Sequence, residues 1–327
     1  MLTTFYGLTA KQKQWLKQNH PHLKLQHKSG SLTLTNLPSR ATEIVSIHSD
    51  SGINQALLKH LPKLKLIITR TAGVDHIDLA ACQRSNVAVV NSSKLNSIAV
   101  AEFTFGLILS YLRDLPNSIA VGRQLKFNSA VMEGGELNGK TLGVVGTGAI
   151  GSHVARIAKG FGMNILAYDA KRNLSQARQL NMRYLSLKQL VQKADIVSLH
   201  VPATPLTEQM INRALLSQFK TGAILVNMAR GSVIDSKAVI NALNQNRLAG
   251  YLADVLQNEQ QLRGYHGRLS PKDRLIIKLQ KQLAKHPRVW LTPHIAHATE
   301  QSMERRLEHC VQIIQHFQQG KKISSII

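Results

Sequence analysis

Apolar positions along this chain fall in short, nearly continuous runs separated by stretches whose hydrophobic spacing is helical. Such runs read as strands buried on both faces, and their alternation with helices predicts a parallel α/β architecture. Residues 23–26, 43–49, 64–69 and 87–90 are the first strands, with helical stretches at Ala10–Asn19 and 52–60 between them. The opening MLTTFYGLTAKQKQW reads as a short strand entering a helix. Together they predict a small parallel-sheet domain. A long helical pattern over 97–113 then leads through polar residues 117–128 and 134–140 into an apolar run at 142–145. Further strands are expected at Asn164–Tyr168, Ile196–Leu199, Ala223–Asn227, 248–252 and Val289–Leu291. An amphipathic helix over about 301–317, followed by Gly320, is expected to pack back on the first domain. There is no internal repeat or low-complexity tract.

Length changes this picture in one respect: 327 residues exceed what one hydrophobic core usually serves, so two domains are expected. Composition, 43% hydrophobic, fits a folded soluble protein, and no apolar run approaches the ~20 residues that cross a bilayer. The N-terminus has no secretory core, and Cys82 and Cys310 offer neither a disulfide framework nor metal-ligand spacing. A cytoplasmic protein without a metal site is the expectation. Charge is less ordinary. With 41 Lys and Arg against 18 Asp and Glu, the net charge is +23, which favours anionic small molecules. The basic residues are scattered and not interleaved with stacking aromatics, which argues against specific nucleic-acid recognition.

Residues 144–172, VVGTGAIGSHVARIAKGFGMNILAYDAKR, carry the most chemistry. They read as strand, glycine-lined turn, helix and second strand ending in an acid, the layout of a dinucleotide-binding βαβ unit. Gly146 allows the tight turn, Gly148 lets the backbone approach a pyrophosphate, and Gly151 lets the helix pack closely, with Ile150 in the same turn. Asp169, 18 residues past Gly151, is placed to accept hydrogen bonds from the adenosine ribose and to repel a 2′-phosphate, so NAD is expected over NADP. Lys171 and Arg172 are the residues that could turn back toward a phosphate.

A second group of residues follows strand ends. Arg230 lies just past the run ending at Asn227, and an arginine there can clamp a carboxylate with two parallel hydrogen bonds. Asp254 and Glu259 follow the next run, and His294 follows Val289-Trp290-Leu291-Thr292-Pro293. Gathered at one crevice, these groups suit hydride transfer: Arg230 orients a 2-keto acid and polarises its carbonyl, His294 supplies the proton, and Glu259 fixes the imidazole tautomer.

With these stretches in view, the chain resembles the D-isomer-specific 2-hydroxyacid dehydrogenase family. The matching segments are TAGVDHID at 71–78, VVGTGAIG at 144–151, NMARG at 227–231, ADV at 253–255 with Glu259, and LTPHIAHAT at 291–299. The resemblance implies NAD-dependent interconversion of a small anionic 2-keto acid and its D-2-hydroxy acid, with Arg230, Glu259 and His294 as the catalytic set. It also implies that the backbone of Ala72, Gly73 and Val74 receives the substrate carboxylate and that Asp254 lies by the nicotinamide. The implied fold is two-domain α/β. A flavodoxin-like substrate domain spans 1–97 and is completed by 293–327; a Rossmann-type doubly wound parallel sheet occupies 98–292. A cleft that closes on substrate and homodimerisation through the cofactor domain are further implications.

The chain departs from the family pattern in places. Glu102 is followed by Phe103 where the family has histidine, and NSSKLNS at 91–97 lacks the usual Pro-Gly pair. The stretch from Glu259 to His294 is long and basic, reading as a pocket wall for a larger substrate or as an added surface helix. GYLADVLQNEQ at 250–260 weakly resembles the phosphite-oxidising branch, whose substrate loop carries a lysine where this chain has Ala72. A cofactor-binding, corepressor-like scaffold is the alternative of a different class; retention of Arg230, Glu259 and His294 favours chemistry.

Overall fold

The computed structural model describes residues 1–127, 133–262 and 269–327; 263–268, within the long basic stretch, lie outside the described residues. The chain divides into two compact units, Met1–Asn96 with Ala298–Ile327, and Ser97–His297.

The first unit is built on five parallel strands, β1 (Leu2–Tyr6), β2 (Leu25–Lys28), β3 (Thr42–Ile47), β4 (Leu66–Thr69) and β5 (Ala88–Asn91), in the spatial order β2-β1-β3-β4-β5. β3 and β4 are buried almost throughout, as their largely apolar runs around Ile44-Val45 and Leu66-Ile67-Ile68 require. Strand ends shift by one or two residues from the pattern-based ranges, and the helix expected over 52–60 shortens to Gln55–Leu58. Asn54 sets that start, because its side chain accepts from the Leu57 N–H and caps the first turn. Helix Glu300–Gln318 packs on one sheet face, where Leu307, Cys310, Val311 and Ile314 join Phe5, Ile44, Leu66 and Ile68.

Ser97–His297 holds the larger sheet. Its strands are β6 (Thr141–Val145), β7 (Asn164–Tyr168), β8 (Met182–Tyr184), β9 (Ile196–Leu199), β10 (Ala223–Asn227), β11 (Leu248–Ala253) and β12 (Val289–Leu291). Their order is β12-β11-β10-β9-β6-β7-β8, all parallel, the doubly wound arrangement in which the chain reverses direction between β6 and β9. Two apolar clusters cover the faces, one with Val144, Val154 and Leu252, the other with Val145, Leu199 and Tyr251.

One stretch differs from its polar reading. After helix Ser97–Leu112, Asp114 turns left-handed at φ +43°, and a second helix, Leu115–Arg123, follows with Pro116 in its first turn. It buries no residue, and its polar Asn117 and Ser118 made the stretch read as a linker. The basic stretch after Glu259 contains helix Pro271–Lys285, started by a Ser270/Asp273 capping box. It packs Leu283 into the sheet's second cluster and ties buried Gln280 to Ser236 Oγ at 2.9 Å, so it is integral to the fold rather than a surface addition.

Candidate active site

The register of the larger sheet places its candidate residues. Tyr168, Val145, Leu199, Asn227, Ala253 and Leu291 are successive partners across β7, β6, β9, β10, β11 and β12. They form one row at the carboxyl edge, with neighbours about 4.8 Å apart. The residues read as functional in this unit lie close beyond that row: Asp169 one past, Gly146 to Gly151 from one to six past, Arg230 three past, Asp254 one past, Glu259 six past and His294 three past. In a doubly wound sheet this edge, near the reversal of strand order, is where ligands bind.

The turn after β6 is sterically specified at two glycines. Gly146 has φ +93°, and a Cβ there would lie 2.8 Å from the His200 backbone. A Cβ on Gly151 would lie 1.9 Å from the Gly146 carbonyl oxygen, so the helix can approach the turn only with glycine. Gly148 differs: φ is negative, and a Cβ would meet nothing within 4 Å. The space in front of the Gly148 N-cap is open, and no contact within the described residues requires glycine there.

Asp169 is held toward the turn. Its Oδ2 accepts from Thr147 N at 2.6 Å and Thr147 Oγ1 at 3.0 Å, and its Oδ1 from Lys171 N at 2.8 Å. Arg172 lies over the Tyr184 ring at 5.9 Å, and the Tyr184 hydroxyl in turn pairs with Thr147 Oγ1 at 2.8 Å. The carboxylate is thereby fixed beside the turn while a basic residue sits on an aromatic face. NADH is therefore expected to bind more tightly than NADPH, measured by isothermal titration with each. The reverse order would assign the pocket to Lys171 or Arg172.

Arg230 opens a 3-10 turn, Gly231–Val233, after a loop tied by fully buried Asn227. The Asn227 amide accepts from Ala229 N at 3.0 Å and donates to the Arg230 carbonyl at 3.0 Å, clamping both ends of the loop that carries the guanidinium. Arg230 Nη1 donates to the Ala229 carbonyl at 2.8 Å. Gly231 presses on the next loop, since a Cβ would lie 2.0 Å from the Gln257 nitrogen. The Arg230 loop and the Glu259 loop are therefore packed backbone to backbone.

His294 Nδ1 lies 2.7 Å from Glu259 Oε2. A carboxylate only accepts, so Nδ1–H donates to it and Nε2 is the ring nitrogen outside that bond. Glu259 Oε1 is itself fixed by Leu256 N at 2.9 Å. Both side chains retain access to solvent, at 34% and 23% of their surface. His294 sits at φ +59° with its N–H donating to the Thr292 carbonyl at 2.9 Å, a tight turn that reverses the chain just past β12. The turn is held from below by Asp254, which is 3% exposed. Asp254 Oδ1 accepts from Thr292 Oγ1 at 2.5 Å and Ile295 N at 2.9 Å, and Oδ2 from Ala296 N at 2.8 Å. Asp254 thus fixes the loop bearing His294. Asn227, Thr147, Gly231 and Thr292 were not singled out in the sequence; an asparagine at a strand end before the arginine is the one signal that could have pointed to its loop.

In the smaller unit, residues 72–74 follow β4. The Ala72 carbonyl accepts from Asn91 Nδ2 at 2.7 Å, that of Gly73 from Thr71 Oγ1 at 2.7 Å and that of Val74 from Ile77 N at 2.9 Å. Their N–H groups donate to no other described residue. With carbonyls engaged and amides not, this loop has the polarity of an anion receiver.

Residues 105–296 match the model of the D-isomer specific 2-hydroxyacid dehydrogenase NAD binding domain. The chain belongs to the D-isomer-specific 2-hydroxyacid dehydrogenase family. It is 33% identical over 289 residues to a 2-hydroxyacid dehydrogenase homolog of Haemophilus influenzae, covering 87% of this chain and 86% of that one. It is 34% identical over 263 residues to D-3-phosphoglycerate dehydrogenase of Methanocaldococcus jannaschii, covering 80% of this chain but only 47% of the longer relative. Among solved structures, D-lactate dehydrogenase from Aquifex aeolicus, complexed with NAD and lactic acid, superposes with a TM-score of 0.81 at 32% identity, over 97% of this chain and 96% of that one. The family is one of NAD(H)-dependent oxidoreductases acting on a D-2-hydroxy acid and its 2-keto acid, and NAD is the cofactor of this chain's Rossmann-type unit.

Proposed function

We propose that the chain reduces a small 2-keto acid to its D-2-hydroxy acid, and catalyses the reverse, with Arg230, Glu259 and His294 as the catalytic set. The observation that carries this reading is the 2.7 Å His294–Glu259 pair, fixed by Asp254 on the strand edge that also bears Arg230 and the glycine turn. NAD(H) supplies the hydride acceptor or donor. Arg230 takes the substrate carboxylate through paired donors and withdraws charge from the carbonyl oxygen. His294 Nε2 gives a proton to that oxygen during reduction and removes it from the hydroxyl during oxidation, while Glu259 holds Nδ1–H and so keeps Nε2 as the exchanging atom. The free N–H groups of Ala72, Gly73 and Val74 also serve the carboxylate. Gly146, Gly148, Ile150 and Gly151 form the pyrophosphate turn, Asp169 the ribose site, and Asp254 sets the nicotinamide end through the loop it holds. The substrate domain is Met1–Asn96 with Ala298–Ile327, and Ser97–His297 is the dinucleotide domain.

A homodimer through the dinucleotide domain is part of the proposal. Leu115, Ile119, Leu125 and Phe127 expose 40–81% of their surface along one short segment, an apolar strip of the kind a second copy covers. The expected compartment is the cytoplasm; no described helix is long and apolar enough to cross a membrane. Ala72 in the substrate loop leaves no cation there for phosphite.

The test is NADH oxidation against a panel of 2-keto acids, and NAD reduction with D- and L-2-hydroxy acids and with phosphite. Turnover of at least one small 2-keto acid and oxidation of the D isomer alone are expected. NADH binding without turnover of any 2-keto acid would favour a cofactor-binding scaffold instead.

A further inference from the structure

The smaller unit has its own reversal of strand order, between β1 and β3, because the chain runs outward from β1 to β2 and returns on the other side of β1. The carboxyl edge at such a point is a crevice in open α/β sheets. The residues that directly follow β1, β3 and β4 are Gly7, His48 and Arg70, and all three line one small cavity there. Gln12, on helix Ala10–Asn19, and Arg306, on helix Glu300–Gln318, close it. Its volume is about 60 Å³, room for a few waters or for one tetrahedral oxyanion.

The charge of this cavity is unusual. Arg70 is 4% exposed and Arg306 9% exposed, yet neither is ion-paired with a carboxylate among the described residues. Arg70 Nη1 donates to Ser46 Oγ at 2.8 Å and Nη2 to the Tyr6 carbonyl at 2.5 Å. Arg306 Nε donates to the Ser302 carbonyl at 3.1 Å and Nη1 to the Arg70 carbonyl at 3.1 Å. Arg70 Nε and Arg306 Nη2 have no acceptor among the described residues. Burial holds both guanidiniums below the usual arginine range, opposed in part by Cys310; for Arg70 the charge of Arg306 adds to the lowering and that of Asp50 opposes it. Both nevertheless stay cationic at any working pH. Asp50, whose charge favours the Arg70 cation, accepts from Ser31 Oγ at 2.7 Å, is exposed and bonds neither arginine. Two buried like charges with no carboxylate bonded to either are unfavourable, and an anion between them would relieve that cost.

We propose that this cavity is a binding site for a single inorganic oxyanion of the phosphate class, held between Arg70 and Arg306 and separate from the candidate catalytic residues. Guanidinium pairs match tetrahedral oxyanions through parallel donors, and the neutral carbonyls already bonded to these arginines leave their charge uncompensated. Arg70 also leads directly into Thr71 and the 72–74 loop, with its carbonyl held by Arg306. Occupancy therefore fixes the root of that loop.

Inorganic phosphate titrated calorimetrically into NADH-saturated protein, against sodium chloride at matched ionic strength, tests the site. Saturable binding at one site per chain is expected for the wild type and for Arg230→Gln. Arg306→Gln is expected to weaken it at least about tenfold, the loss of one charge-assisted contact. Because a buried arginine can matter for folding, Gln12→Glu is the second variant. Glutamate preserves the capping box of Thr9 with residue 12 while placing a carboxylate at the cavity wall, so its fold is retained and its phosphate affinity should fall comparably. Absence of saturable binding to the wild type overturns the proposal. Binding that survives both Arg306→Gln and Gln12→Glu, or that is abolished by Arg230→Gln alone, also overturns it and moves phosphate to the candidate catalytic site.

Discussion

His294→Asn is expected to retain NADH binding and to lose turnover by about 100-fold or more, the scale of removing a general acid. The imidazole's Nδ1–H is bound by Glu259 at 2.7 Å, which leaves Nε2 as the atom proposed to exchange the proton. Asparagine is close in size and can still donate to Glu259, so the loop clamped by Asp254 should stay in place. What is lost is the atom that delivers the proton. Fluorescence titration with NADH separates this outcome from damage to the fold, and steady-state assays should place the loss in kcat more than in KM. Near-normal reduction by this variant would remove His294 from the chemistry.

How much of this was legible in the sequence follows from the physics of each element. β3, β4, β9 and β10 lie inside parallel sheets, so their residues are mostly apolar or small and the runs stand out. The glycine turn stood out because Gly151 meets the Gly146 carbonyl five residues back and Gly146 itself turns at φ +93°, both local constraints. β8, three residues long at the sheet edge, and the helix Leu115–Arg123, with no buried residue, carry no such signature. Site residues were legible as types near strand ends. Their tying was not, because register decides it: Asp254 holds a loop some forty residues on, and Asn227 finds its partners only once its strand ends in a turn. Arg70 and Arg306, 236 residues apart, were not singled out in the sequence and converge only through packing of the last helix.

Arg230→Lys should lower kcat/KM for the 2-keto acid by roughly tenfold to a hundredfold, the cost of losing one charge-assisted hydrogen bond of a pair. Lysine keeps the positive charge, so an effect of charge alone would survive the exchange; loss of the planar fork would not. The backbone of this loop is held by the Asn227 amide, which bonds the Ala229 nitrogen and the Arg230 carbonyl without involving the side chain at 230. The guanidinium's bond to the Ala229 carbonyl can be replaced by an ammonium donor. The loop is thus expected to keep its course and the glycine turn its geometry, leaving NADH affinity little changed. Kinetics with the best substrate of the panel and fluorescence titration with NADH read the two effects independently. An unchanged kcat/KM would exclude a bidentate clamp at this position. A collapse of NADH affinity would place Arg230 on the cofactor, and the carboxylate would then have to be held by the amides of residues 72–74 alone.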